Sequence, residues 1–297
     1  MAELRAGVAG AGVFGGVHAR KYAEAEGVRL HRVYDPHLDR ARALAEPLGA
    51  EGVDDLAAFL DGLDLVTLAS PGATHGELGL RALAAGAHLY VEKPLAVSLR
   101  DAEGLVAAAA RAGRVLACGH QERVTFAAMG LLALPERPLA LESVRRSPPN
   151  ARNRDVSCVL DLMIHDLDLA LLLAGGDAVA VEAEGGFDTV RAEITFDTGL
   201  TAAFEAGREA AARERTMALD LPSGRVTVDF LTPAFENGSS APLDALFAAD
   251  PAARDPVGAS VAAFLAAVRG EGEPVADGRA GVRALDLALA VEHAAGL

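Results

Sequence analysis

"LRAGVAGAGVFGGVHARKYAEAEGVRLHRVYD", residues 4–35, decides the fold of this chain. It opens on a short β-type run, turns through glycines, continues as "HARKYAEAEG" with helical character, and ends on a second strand closed by Asp35. Strand, glycine turn, helix and strand make one crossover unit, so the two strands must pair in parallel. The turn, Gly10 to Gly15, fits G-x-G-x-x-G. In that pattern Gly10 permits the tight turn, Gly12 lets backbone approach a pyrophosphate, and Gly15 lets helix close on strand. Val13 and Phe14 complete the loop, and the helix N-terminus faces the phosphates. Taken alone the pattern is weak and fits an ordinary βα turn. Its place in the first unit and Asp35, twenty residues after Gly15, make it a dinucleotide signature. Asp35 would accept both ribose hydroxyls of NAD and repel the 2′-phosphate of NADP, so NAD is the expected cofactor.

The same rhythm extends to His120. "PHLDRARALAEPLG", with Pro36 at its start, reads as a helix, "DDLAAFLDG" as a short one, and "LDLVTLASP" as a continuous apolar strand. "ATHGELGLRALAAG" is a helix, "AHLYVEKP" a strand, "SLRDAEGLVAAAARAG" a helix capped by Ser98, and "RVLACGH" a strand. These lengths predict a doubly wound parallel α/β sheet over residues 1–119. Beyond it the pattern changes. "ERVTFAAMGLLALPERP" is helical, "LALESVRR" a strand, "SPPNARNRD" a loop and "VLDLMIHDLDLALLL" a helix. Alternating runs from Val179 to Phe230, joined by glycine turns, predict a mostly antiparallel sheet, and two helices close the chain. Residues 120–297 are thus expected to form a second, α+β domain.

Composition removes several function classes. A net charge of −15 argues against a nucleic-acid or anionic-membrane surface. No apolar run approaches the roughly 18 residues of a membrane span. Without the basic and apolar regions of a signal peptide, and with only Cys118 and Cys158 in no metal or redox spacing, a cytoplasmic protein without a metal site is expected. Of 27 basic residues all but Lys21 and Lys93 are arginine. A partly buried lysine can lose its proton and an arginine cannot, which singles out Lys93. Lys21 reads as the exposed side of a helix.

Three stretches carry candidate chemistry. "SPGATH", residues 70–75, leaves a buried strand at the carboxyl edge where ligands lie, so Ser70, Pro71 and His75 are candidate cofactor contacts. His75 alternatively sits in the first turn of a surface helix. "VEKP", residues 91–94, ends the next strand on that edge, where Glu92 and Lys93 are either a solvated exit or a positioned pair. In "VLDLMIHDLDLALLL", residues 159–173, Asp161, His165 and Asp168 share one helical stripe and Asp166 lies about 100° round the axis. A carboxylate one turn from an imidazole can hold its tautomer and stabilise its charged form. The bland alternative is one wet face of a helix.

"GAGVFGGVH", "YVEKPLAVS" and "DLMIHDLD", in this order, resemble the Gfo/Idh/MocA oxidoreductase family, and the likeness runs over nearly the whole chain. The resemblance implies a Rossmann domain joined to a domain whose open sheet commonly forms the interface of a homodimer or homotetramer. It implies that Lys93 binds the substrate hydroxyl near the nicotinamide, that His165 is the acid/base and that Asp161 is its partner. The family often has glycine where this chain has Met163. On this reading the polar residues of the helix face the cleft between the domains and its leucines face the core. "VRRSPPNARNRD" adds Arg145, Arg146, Arg152 and Arg154 with no acid before Asp155, either a solvated loop or a clamp for a phosphate-bearing substrate. "CGHQERVTF" further resembles the branch of the family that oxidises nucleotide-linked N-acetyl sugars at C3. A free polyol or aldose dehydrogenase and a non-catalytic NAD-dependent sensor or corepressor are the competing expectations.

Overall fold

The computed structural model describes residues 3–149 and 155–297. The first 121 residues run β1 (Leu4–Ala9), α1 (Val13–Glu24), β2 (Val28–Tyr34), α2 (Leu38–Ala45), β3 (Glu51–Val53), α3 (Leu56–Leu60), β4 (Leu65–Leu68), α4 (His75–Ala84), β5 (His88–Val91), α5 (Leu99–Ala112) and β6 (Leu116–Cys118). Their strands form one parallel sheet in the order β3-β2-β1-β4-β5-β6. The order reverses between β1 and β4, the point at which a doubly wound sheet holds its ligand. β4 is buried at all four positions, and its one polar side chain, Thr67, shares a hydrogen bond of 2.7 Å with the Tyr22 hydroxyl. Ser98 caps α5 by accepting from the Asp101 amide. β3, a three-residue edge strand, is not marked by any hydrophobic pattern, and α2 starts at Leu38 rather than at Pro36.

The remainder runs α6 (Glu122–Ala128), β7 (Ala140–Arg146), α7 (Ile164–Ala174), β8 (Ala178–Gly186), β9 (Thr189–Phe196), β10 (Thr201–Gly207), β11 (Glu214–Leu221), β12 (Gly224–Asp229), β13 (Ala234–Asn237), α8 (Pro251–Arg254), α9 (Pro256–Val268) and α10 (Gly278–Ala294). The second sheet has the order β13-β12-β11-β7-β10-β9-β8 and is antiparallel except where β7 meets β10. Strict alternation along β9 buries Val190, Ala192, Ile194 and Phe196 and exposes the residues between, so one face is covered and the other open. The helix expected from residue 122 to 138 ends at Ala128, and Gly130 at φ +88° turns the chain.

The chain divides into two compact units, Met1–Gln121 with Asp255–Val282, and Glu122–Arg254 with Arg283–Leu297. The boundary expected near residue 119 lies close to the division at Gln121. The segment Asp255–Val282 returns to the first unit, where Val261, Phe264 and Leu265 of α9 join the core of β1, β2 and β4. Lys21 takes part in that return through an ion pair with Asp255 at 2.6 Å.

Candidate active site

In the first unit the glycine loop has the geometry its sequence requires. Gly10 sits at φ +104°, and a Cβ there would lie 2.6 Å from the Ala69 carbonyl oxygen. A Cβ on Gly15 would fall 1.8 Å from the Gly10 carbonyl oxygen, so the first turn of α1 closes on the loop only with glycine. Around Gly12 nothing lies within 4 Å of such a Cβ, and no side chain caps the first turn of α1. This open, uncapped helix start beside Val13 and Phe14 fits a pyrophosphate. Asp35 is nearly buried and accepts from the Ala11 amide at 3.0 Å and the His37 amide at 3.0 Å. Two carboxylate oxygens have about four acceptor sites, so two remain for ribose hydroxyls.

The exits of β4 and β5 are locked to each other. His75 is 1% exposed, with Nδ1 2.8 Å from the Pro94 carbonyl oxygen and Nε2 2.9 Å from the Ser70 carbonyl oxygen. Burial pushes its imidazole below the usual histidine range, against both carbonyls. His75 thus stands in the first turn of α4 but is buried rather than on the surface, and it braces the loop that carries Lys93. Ser70 bonds Thr74 through its hydroxyl at 2.7 Å, and Pro71 starts the turn into α4. Glu92 is buried rather than solvated, its Oε1 accepting from His18 Nε2 at 2.7 Å and from Gln121 Nε2 at 2.7 Å. Burial alone would raise the Glu92 carboxyl. The His18 hydrogen bond and charge, with Lys93 and Gln121, outweigh it and hold the carboxyl below the usual range. Lys93 follows, half-buried, at the carboxyl edge of the sheet.

In the second unit Asp161 lies in a π-turn, Val159–Met163, that leads directly into α7. The wider turn departs from the 3.6-residue register assumed for the stripe, and such insertions recur at functional sites. Asp161 is nearly buried, 3.7 Å from the guanidinium of Arg208. Arg208 is itself fixed by Asp188, by the Val156 carbonyl and by the Phe187 carbonyl. His165, 15% exposed, has Nδ1 3.9 Å from Glu122 Oε1. Met163 is buried inside the turn.

Two of the four polar residues of this helix do not face an open surface. Asp166 is bonded through both oxygens by Arg145, at 2.8 and 2.7 Å, and Asp168 through both oxygens by Arg123, at 2.7 and 2.5 Å. Arg145 also grips Glu122 through two bonds of 2.7 and 2.6 Å, so one buried guanidinium serves two carboxylates. Burial holds the Asp166 carboxyl above its usual range with Arg145 opposing it, while both acids tighten the proton of Arg145. The four-arginine clamp is corrected accordingly. Arg145 is 2% exposed and already neutralised, and Arg146 pairs with Glu205 and Glu214. Arg152 and Arg154 lie outside the described residues. His18, Gln121, Glu122, Arg123 and Arg208 are the supporting residues that sequence reading did not assign to the site. His18 was open to inference, since it stands one turn beyond Gly15 on the cofactor helix.

A doubly wound domain with a G-x-G-x-x-G loop and an acidic end to β2 defines an NAD-binding oxidoreductase class. The chain belongs to the Gfo/Idh/MocA family, whose profile, described as an oxidoreductase family with an NAD-binding Rossmann fold, matches residues 4–120. It is 33% identical to UDP-N-acetylglucosamine 3-dehydrogenase of Acidithiobacillus ferrooxidans over 99% of this chain and 98% of that one. The solved structure of that enzyme matches with a TM-score of 0.91 over 99% of this chain and 98% of its own. The 1,5-anhydro-D-fructose reductase of Ensifer adhaerens is 31% identical over 82% of this chain and 80% of its own length. Inositol 2-dehydrogenase of Streptomyces avermitilis is 35% identical over 60% of this chain and 55% of its own. The protein is an NAD-dependent oxidoreductase. No helix among the described residues is long and apolar enough to cross a membrane.

Proposed function

We propose that the protein oxidises the C3 hydroxyl of a nucleotide-linked N-acetyl sugar of the UDP-N-acetylglucosamine type, with NAD as oxidant. The observation that carries this reading is the end-to-end likeness to UDP-N-acetylglucosamine 3-dehydrogenase, at 33% identity and a TM-score of 0.91. Gly10, Gly12, Val13, Phe14, Gly15 and Asp35 would hold NAD, and Ser70 and Pro71 would border it; bound there, its nicotinamide takes up the hydride. His165 removes the hydroxyl proton as general base. The Lys93 ammonium stabilises the developing alkoxide, an effect larger in a water-poor site than in solution. Asp161, held by Arg208, orients and tunes His165, and Arg152 and Arg154 meet the phosphate-bearing part of the substrate. The reading places the enzyme in the cytoplasm as a homo-oligomer joined through the open face of the second sheet. That face carries a groove of about 630 Å³ lined by Glu142, Glu182, Arg191, Glu193 and Glu205.

A free-polyol dehydrogenase is the second reading, favoured by the inositol 2-dehydrogenase relative at 35% identity over 60% of the chain. Initial rates of NAD reduction separate the two. UDP-N-acetylglucosamine should exceed N-acetylglucosamine and inositol in kcat/KM by at least about a hundredfold, since the remote nucleotide supplies binding energy. Fastest turnover of inositol would replace the first reading with the second.

A further inference from the structure

Arg215 stands out in the second unit. It is half-buried near the start of β11, on the side of the strand that also points Met217, Leu219 and Leu221 into the core. Among the described residues no carboxylate lies within ion-pairing distance of it, whereas Arg123, Arg145, Arg146, Arg191, Arg208 and Arg225 all have acidic partners. Arg137 and Arg213 also lack an acidic partner, but both are exposed to water.

Its surroundings make the missing partner costly. In the sheet register Arg215 stands directly opposite Arg145, and like charges at such positions repel. Arg145 is neutralised by Asp166 and Glu122, both of which also act on Arg215 from a distance without bonding to it. Burial and then the Arg145 charge push the Arg215 guanidinium below its ordinary range, with Arg213 adding to the effect and Glu122 and Asp166 opposing it. A fold with no use for this cation would do better with an apolar residue here.

The position also matters. The Arg215 carbonyl accepts from the Phe230 amide at 2.9 Å, which fixes the backbone. Phe230 lies under the Arg145 guanidinium, which grips Glu122, and Glu122 reaches His165. The adjacent Glu214 pairs in register with Arg146, the last residue of β7. Arg215 therefore stands beside the end of β7 and on the side of the sheet that carries α7, whose Asp166 pairs with Arg145.

We propose that Arg215 is a substrate-binding residue that grips a phosphate group of the nucleotide-linked substrate, the anion that completes its charge. A guanidinium presents paired donors that match phosphate oxygens. The inference rests on the nucleotide-sugar reading and adds to it a residue far in sequence from the arginine loop.

Calorimetric titration of the NAD-saturated protein with UDP, pyrophosphate and uridine tests it in the native protein and in Arg215→Met, Arg215→Gln and Arg215→Lys. Loss of a charge-assisted phosphate bond should weaken UDP and pyrophosphate by roughly ten- to a hundredfold in the Met and Gln variants, with Lys intermediate and uridine unchanged. The melting temperature of the Gln variant should stay level or rise, because an uncompensated charge is removed; a purely structural arginine predicts a fall. Unaltered UDP affinity in the folded variants, with the native protein binding UDP, overturns the Arg215 assignment and leaves the nucleotide-sugar reading intact. A native protein blind to UDP, pyrophosphate and UDP-N-acetylglucosamine overturns both.

Discussion

Arg145 and Arg146 are neighbours in sequence and point to opposite faces of one strand. Arg145 is sealed between Asp166 and Glu122, while Arg146 lies on the open face with side-chain exposure of 36%. Arg145→Met would leave two carboxylates without their cation and should cost about 3–5 kcal/mol of stability. Arg146→Ala should cost less than about 1 kcal/mol. Chemical denaturation of the two variants checks this, and equal losses would contradict the placement of Arg145. Residues proposed to act on the substrate should behave differently again. Lys93→Met and His165→Asn should each lower kcat by about 10²–10⁴-fold while NADH binding persists, since neither holds the adenosine half. Near-native turnover in either variant would remove its assigned role. Asp35→Ser should narrow the preference for NAD over NADP, read from the two cofactor affinities.

At the scale of elements, the exit of β5 is held by one buried carboxylate. Glu92 is kept below its usual range, so its charge contributes stability above the ordinary glutamate value near 4.5, and that contribution fades as pH falls through the lowered folded value. Glu92→Gln should therefore melt well below the native protein at pH 7, and the gap should narrow below about pH 4. A gap that stays constant from pH 7 to 3 would contradict the charged pairing. This network also marks what sequence could not disclose. The glycine loop, the Glu-Lys-Pro exit and the Asp-x-x-x-His stretch are local patterns with local causes, and they are readable in the chain. His18 and Glu92 are 74 positions apart, and Arg145 and Asp166 are 21 apart, so their pairing depends on tertiary packing that no spacing rule reaches. The π-turn at Val159–Met163 was hidden for another reason: its residues are as apolar as an ordinary helical turn. The three-residue β3 offers too few positions for a period-two signal.

The whole molecule divides into two units. Its first unit is built from Met1–Gln121 and from Asp255–Val282, a return that composition does not announce because α9 reads as an ordinary apolar helix. Its second unit offers a sheet with one covered face and one open face, and the open face is where assembly is proposed. Native mass spectrometry should give a dimer or tetramer, and Glu193→Arg with Glu205→Arg on that face should shift it toward monomer; a native monomer would contradict the assembly. The central proposal is that the protein oxidises C3 of a nucleotide-linked N-acetyl sugar. The most direct measurement is the mass of the NADH formed from UDP-N-acetylglucosamine carrying deuterium at C3. The account predicts that the NADH gains one deuterium and that turnover slows with the label. NADH formed without deuterium, or no NADH formed from this sugar while inositol is oxidised, would contradict it.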